Sequence, residues 1–473
     1  MTPRALSALL VAACCVQVAS AASVFAHFMM ANSYAYDIEQ WKTDITAAQQ
    51  IGIDGFALNW TPPDCSYPSL GWVVDRIDDA FTAAESMGFK LMHSFDMSWT
   101  ECSVYWNQTF MADMITKHSG SSATYRWNTN ILVSTYGGDS VEQYGNTFFQ
   151  GLKDNLKNAG NPISLVPALI TYSSEAQSQP TAEAAKLVSD YPSIDGFFNW
   201  QAWPLNTDSN LTSTPDEAFQ SALKKAGRTG PYMMAVSPWQ YKDLNDGNSA
   251  DAWVSYSDTL FHQRLHDVAS STFQPDIIEL LTWNDFCESH YLRDLPSQSE
   301  TATDYVVYTS GMNNYVEGMN HAPWRIIAKY FISWWKNGEP PATTMDQVVY
   351  WYRVHPKNAV CLGGSSTGIR NYEYPVDAVF AWALTKSNAT VSVSMDGGKT
   401  AQTFNSDNSG PSLSMIPFPS FEGSITPEVK IVRNGNVIAN STGSQPITTD
   451  CAWQNFNAVV NLCGEGVNGG PLN

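Results

Sequence analysis

The sequence predicts an α/β fold, a (β/α)₈ TIM barrel followed by a C-terminal β-sandwich, on two observations. Short apolar runs alternate with helix-period segments as far as about residue 338, and beyond residue 341 the helical period disappears. The runs fall at 24–30, 54–60, 89–97, 131–136, 163–170, 194–200, 232–237 and 276–285, which makes eight strands. Helical patterns between them include 38–50, 73–87, 147–158, 182–190, 216–225 and 323–336. Gly52, Gly88, Gly160 and Gly227 stand just past such patterns, where a left-handed cap is expected. Eight βα units in about 300 residues suit a closed parallel cylinder; a doubly wound open sheet is the alternative.

From 341 to 473 strand patterns at 348–354, 378–384, 390–395 and 429–433 alternate with Gly, Ser and Asn turns, as in a β-sandwich. No Ser/Thr/Pro-rich linker separates this accessory part from 22–340, so the two are expected to pack directly together. Gly363-Gly364-Ser365-Ser366-Thr367-Gly368 reads as a loop between strands, and neither a dinucleotide fingerprint nor a phosphate loop is present.

Residues 1–21 have the form of a signal peptide: Arg4, an apolar run from 5 to 16, then Ala19-Ser20-Ala21. A secreted protein, extracellular or in a cell wall, is expected. That run is too short to span a membrane and no later stretch is long enough. Of eight cysteines, Cys14 and Cys15 leave with the leader; the remaining six suit disulfides. Proximity favours Cys451 with Cys463 and the fold favours Cys65 with Cys102, leaving Cys287 with Cys361. N-x-S/T sequons begin at Asn59, Asn107, Asn210, Asn388 and Asn440, although Asn59 lies within a strand pattern. The net charge of −20 repels nucleic acid and anionic membranes but not a neutral polysaccharide, and also serves simple solubility. A monomer is expected.

In such a barrel the chemistry gathers where the strands end, so polar residues closing each apolar run are the informative ones. These are His27; Asn59 and Trp60; His93, Asp96 and nearby Trp99; Tyr136; Asn199, Trp200 and Trp203; Trp239; and Trp283, Asn284, Asp285, Glu288 and His290. Carboxylates among indole rings fit a sugar cleft, because pyranose faces stack on aromatic planes while their hydroxyls need polar partners. All but two of the 17 tryptophans precede residue 375, which places the stacking surface on the barrel. Glycoside cleavage requires an acid to protonate the leaving oxygen and a second carboxylate to attack or to activate water. Asp96, Asp285 and Glu288 are the candidates; the plain alternative is that one of them only ties a loop to its backbone. Asp54 and Glu175 are weaker candidates. His262 and His266, four apart on a helix pattern, lack the adjoining Glu of a metalloprotease and read as a polar helix face. His27, His93 and His290 are better suited to donating to sugar hydroxyls than to binding metal.

Four motifs resemble fungal α-1,3-glucanases, or mutanases, of glycoside hydrolase family 71: Val24-Phe25-Ala26-His27-Phe28-Met29, Asp54-Gly55-Phe56-Ala57-Leu58-Asn59, Ser94-Phe95-Asp96-Met97-Ser98-Trp99 and Trp283-Asn284-Asp285-Phe286-Cys287-Glu288-Ser289-His290-Tyr291. The resemblance spans nearly all of the chain after the leader. It implies endo-acting hydrolysis of α-1,3-glucan with inversion, no metal or organic cofactor, and essential carboxylates at Asp96, Asp285 and Glu288. On that basis Glu288 is expected to be the general acid and Asp285 the general base, with Asp96 positioning sugar or water; the first two roles are open to exchange. Competing readings are a glycosidase for another fungal wall polysaccharide and a non-catalytic glucan-binding wall protein.

Overall fold

A computed structural model describes residues 22–62, 71–98, 104–244, 251–296, 313–365 and 368–466. Eight strands alternate with eight helices: β1 Ser23–Met29, α1 Ile38–Gln50, β2 Gly55–Trp60, α2 Gly71–Met87, β3 Lys90–Asp96, α3 Gln108–Lys117, β4 Asn130–Tyr136, α4 Asn146–Asn158, β5 Ile163–Ala168, α5 Pro180–Asp190, β6 Phe197–Asn199, α6 Thr214–Lys225, β7 Tyr232–Val236, α7 Leu260–Ser270, β8 Ile277–Leu280 and α8 Trp324–Asn337. All eight apolar runs became strands, while α3 was not among the expected helices. The strands form one curled parallel sheet in the order β5-β4-β3-β2-β1-β8-β7-β6. Its edges meet where the N–H groups of Asp195 and Gly196, just before β6, donate to Leu165 O of β5 at 2.9 and 3.3 Å. The antiparallel strand Arg126–Trp127 also adds to β4.

Both faces of the sheet are covered, which is why the strands read as unbroken apolar runs. Inward-facing Phe25, Ala57, Met92, Leu132, Phe198 and Met233 form one apolar filling. Outward-facing Val24, Phe28, Phe56, Leu91, Val133 and Ile278 pack against apolar faces of the helices. On α4 that face is Phe149, Leu152 and Leu156, at helical spacing and fully buried; each such side chain contributes roughly 1.5–3 kcal/mol on burial. Helix α1 starts where the Asp37 carboxylate accepts from the N–H groups of Glu39 and Gln40. The four cap glycines all have positive φ. Gly55 serves close approach instead, since a Cβ there would lie 2.4 Å from the Phe25 ring and 2.5 Å from Lys90 O.

Beyond α8 two four-stranded antiparallel sheets follow. The first has β9 Gln347–Arg353, β10 Ala378–Leu384, β13 Ser412–Pro417 and β16 Ala458–Gly464, in the order β13-β10-β9-β16; the second has β11 Ala389–Ser394, β12 Gln402–Ser406, β14 Glu428–Arg433 and β15 Asn436–Thr442, in the order β12-β11-β14-β15. Val348, Tyr350, Val379 and Ala381 of the first share an apolar cluster with Val391, Val393, Val429 and Ile431 of the second. The other face of the first sheet, with Val349, Trp351, Phe380 and Trp382, belongs to the same core as α8. Burial on both faces explains why β9 and β10 were legible, whereas β15 is largely exposed and gave no apolar signal. Trp351 Nε1 donates to Asp258 O at 2.9 Å, and Trp382 Nε1 donates to His262 Nδ1 at 3.2 Å. Burial, then the neighbouring His266, lowers the His262 pKa to about 4, so this imidazole is a neutral acceptor for the indole. The i,i+4 histidine pair thus packs on Phe331, with His262 bonded to an indole.

The disulfide expectations for the C-terminal part are corrected. Cys361 pairs with Cys451, while Cys463 and Cys287 are free thiols. Cys463 lies on β16 with its side chain turned between the two sheets, its Sγ donating to Val429 O at 3.4 Å. Cys451 lies in the preceding loop, beside the hairpin Val360–Cys361 and Gly364–Ser365, where Leu362 N donates to Cys451 O at 3.0 Å. Proximity along the chain failed because the intervening strand points its thiol into the core. Cys65 and Cys102 lie outside the described residues.

Candidate active site

Alternation along each strand decides which rim residues see the sheet's interior. His27 shares the inward face with Phe25, Asn59 with Ala57, Asp96 with Met92, Tyr136 with Leu132 and Trp200 with Phe198. Trp60 and His93 have the opposite parity and join the core between strands and helices, as does Trp283, which lies beyond the end of β8. Asn199 likewise points outward, where its Nδ2 donates to Asp216 Oδ1 of α6 at 2.9 Å. Trp239 is buried with its Nε1 donating to Phe456 O at 2.9 Å, and Asn284 clasps the Met29 backbone through both amide atoms. These six therefore stand away from the cluster of carboxylates, and Trp99 lies outside the described residues.

The loop after β8 brings the acids together through its own hydrogen bonds. Thr282 Oγ1 accepts from Asp285 N at 2.8 Å, and Asp285 Oδ1 accepts from Glu288 N at 3.2 Å. Ser289 takes φ +60°, the left-handed turn that returns the chain so that His290 Nε2 comes within 3.3 Å of Glu288 Oε2 and 3.9 Å of Asp285 Oδ2. From the loop after β7, Lys242 Nζ approaches Glu288 Oε1 at 3.3 Å and Asp251 Oδ1 at 2.8 Å. The Lys242 ammonium also lies 3.9 Å above the Trp253 ring. The C-terminal part braces this loop, since Tyr241 OH donates to Gln454 O at 3.2 Å while Tyr241 N donates to Glu288 O at 3.1 Å.

Across the mouth, Asp96 Oδ1 accepts from Ser98 N at 2.9 Å and Ser98 Oγ at 2.7 Å. Tyr136 lies between the two sides. Burial raises its pKa far above the ordinary phenol value, and the negative charges of Glu288, Asp96 and Asp285 each push it further in that direction. Carboxylates from separate parts of the chain, with Asp139 among them, thus act on one phenol. The Trp200 ring lies 4.5 Å from that of Tyr136 and 4.9 Å from that of His27, and Trp203 lies 5.0 Å from His290. Asn59 Nδ2 is buried without a protein partner.

The two acids of the β8 loop are shifted in opposite directions. Burial raises the Asp285 pKa and the Glu288 charge raises it further, against the opposing pull of His290 and Lys242. Burial would raise Glu288 too, but the His290 hydrogen bond and the Lys242 charge outweigh it and bring the carboxyl below its ordinary range. The Glu288 side chain keeps 31% of its surface exposed against 12% for Asp285, so solvent weakens the attractions on Glu288 without reversing them. Asp285, Glu288 and His290 bring donor atoms within 4.8 Å of one another, a set that a divalent cation could share, but the Lys242 ammonium already answers the Glu288 charge.

The sequence matches the family described as Glycosyl hydrolase family 71 over residues 20–468. The chain belongs to that family. Within family 71, it is 31% identical over 446 residues to glucan endo-1,3-alpha-glucosidase agn1 of Schizosaccharomyces pombe, covering 93% of this chain and 94% of that protein. It is also 31% identical over 451 residues to mutanase Pc12g07500 of Penicillium rubens, covering 92% and 88%. The ascus wall endo-1,3-alpha-glucanase of Schizosaccharomyces pombe is 27% identical over 384 residues, covering 79% and 81%. Sequence reasoning missed Lys242, Asp251 and Glu279 in this family 71 chain. Glu279 had a signal, as a charge in the middle of the apolar stretch 277–281; Lys242 had only its place shortly after strand seven.

Proposed function

We propose that this chain is a secreted, endo-acting α-1,3-glucan hydrolase that works through carboxylates at the carboxyl-end rim of a (β/α)₈ barrel, with the two antiparallel sheets as an accessory β-sandwich. The observation that carries the reading is the grouping of Asp285, Glu288, His290 and Lys242 within hydrogen-bond and ion-pair reach beyond β8, with Asp96 and Tyr136 side by side in register at the ends of β3 and β4. The printed names of the relatives supply the linkage. The Cys361–Cys451 disulfide suits an oxidising compartment, and no helix among the described residues is long and apolar enough to cross a membrane.

In this reading Asp285, kept protonated by burial and by the ionised Glu288 beside it, protonates the leaving glycosidic oxygen. Glu288, held ionised by His290 and Lys242, is the second carboxylate, and Asp96 positions sugar or water. This exchanges the two roles expected from sequence. An inverting pair stands roughly 6.5–9.5 Å apart and a retaining pair about 5–5.5 Å. The donor atoms of Asp285 and Glu288 lie within 4.8 Å, so inversion by this pair requires the substrate to part them. The test is sugar release from α-1,3-glucan set against α-1,4- and β-1,3-glucans, with the anomer of the first product followed by NMR. Selective release from α-1,3-glucan is expected, with β product if the pair inverts. Equal or greater release from another polymer, or binding without release, overturns the reading.

A further inference from the structure

Glu279 of β8 is fully buried, and its Oε1 meets His27 Nδ1 of β1 at 2.7 Å. Its other oxygen, Oε2, is enclosed and has no hydrogen-bond partner. Its neighbours in register on the adjoining strands are Phe25 and Ala235, and both belong to the inward apolar filling. A carboxylate in such surroundings costs stability even when partly bonded, and burial accordingly raises the Glu279 pKa against the opposing pull of His27. Replacing the buried pair as a whole by apolar side chains of similar volume is often neutral to a fold, whereas removing Glu279 alone leaves His27 Nδ1 without its partner. What Glu279 does must therefore be sought in what it touches.

It touches His27. Glu279 stands in register with Phe25, two residues nearer the amino end of β1 than His27. With Nδ1 turned down to that carboxylate, the far edge of the imidazole, carrying Nε2, turns towards the mouth. Nε2 has no protein partner among the described residues. The ring is steadied edge-on by Trp200 at 4.9 Å, which packs on Tyr136, the phenol on which the carboxylates act.

We infer that Glu279 is a positioning residue for glucan cleavage: by holding His27 Nδ1 it presents Nε2 to the sugar ring bound against Trp200. A partner that fixes the orientation and tautomer of an imidazole commonly changes function by ten- to a hundredfold although it never meets the substrate. The inference rests on the reading of the cleft as an α-1,3-glucan site.

A double-mutant cycle in kcat/KM on α-1,3-glucan tests it, with thermal unfolding measured for each variant. Glu279→Gln and His27→Ala are each expected to lower kcat/KM by about tenfold or more. In the His27→Ala background, Glu279→Gln should then change activity less than about twofold, because the residue it serves is gone. Glu279→Met, matched in volume, keeps the measurement available should the amide unsettle the fold. It should stay folded at the assay temperature, unfolding earlier than the parent only by what an unpartnered His27 Nδ1 costs, and lose activity to a similar degree. Equal losses from Glu279→Gln in both backgrounds, or full activity in Glu279→Met, overturn the inference. A parent chain that releases no sugar from this polymer overturns the glucan reading instead, whereas an active parent with additive variants overturns only the role of Glu279.

Discussion

Asp285 Oδ1 accepts the backbone N–H of Glu288 at 3.2 Å, so the peptide that carries one acid also orients the other. Their shifts run in opposite directions, Asp285 up and Glu288 down, which is how two neighbouring carboxyls come to divide acid and base work. Asp285→Asn and Glu288→Gln are each expected to lower turnover at least about 10²-fold with unchanged circular dichroism. Were both variants to keep more than about a tenth of the parent rate, neither residue would be an acid or a base in this reaction.

The pH profile should respond to Lys242. Its ammonium lowers the pKa of Glu288 and also acts downward on Asp285. Lys242→Met therefore lets both rise: Glu288 takes up its proton at higher pH, and Asp285 keeps its proton to higher pH. Both limbs of the kcat/KM profile should move upwards, the acid limb by about one pH unit, since the titration belongs to the pair. Stationary limbs, or movement to lower pH, would remove Lys242 from the electrostatics of the site.

The strands of the curled parallel sheet were legible because each is buried on both faces, so Ile163–Ala168 and Tyr232–Val236 are apolar at nearly every position. The same property hid the parity of their ends. His93 and Asp96 close one strand, yet only Asp96 faces inward, and His93 is enclosed by Phe81, Phe95 and His118. Burial and the His118 charge hold the His93 pKa down to about 3, leaving it a neutral ring with no hydrogen-bond partner on either nitrogen. Asp285 and Glu288 could be chosen without parity because they stand in a loop beyond the strand. Lys242 was not legible, since its approach to Glu288 depends on how two loops from neighbouring strands fold over the rim.

Behind β6 and β7, Arg264 and Asp216 form an ion pair at 2.9 Å, each side chain 1% exposed. Asp216 Oδ1 also accepts from Asn199 Nδ2 at 2.9 Å and Tyr232 OH at 2.7 Å, which fixes the strand end whose next residue is Trp200. Arg264→Met removes the cation and leaves that carboxylate buried, so a loss of about 3–5 kcal/mol in denaturant unfolding is expected. Replacing both partners by apolar residues should recover much of it. If the single variant is as stable as the parent, Asp216 is answered by its neutral donors alone.

The disulfide gives a prediction that separates three cysteines by environment. Cys361 and Cys451 are 90 residues apart, and joining them removes a large loop from the unfolded ensemble, a contribution of about 2–4 kcal/mol. Cys463, buried on β16, contributes packing and one weak Sγ hydrogen bond to Val429 O, and burial pushes its pKa up to about 12, so in the folded protein it is a thiol that alkylating reagents neither reach nor activate. Peptide mapping without reduction should recover the 361–451 link, with Cys463 labelled by iodoacetamide only after unfolding. Cys451→Ser should unfold at clearly lower denaturant than the parent, and Cys463→Ala should lose less, as the removal of one buried sulfur requires. A recovered 451–463 link would mean that β16 does not turn Cys463 between the sheets, and the register of that strand with Gln347–Arg353 would have to shift by one residue.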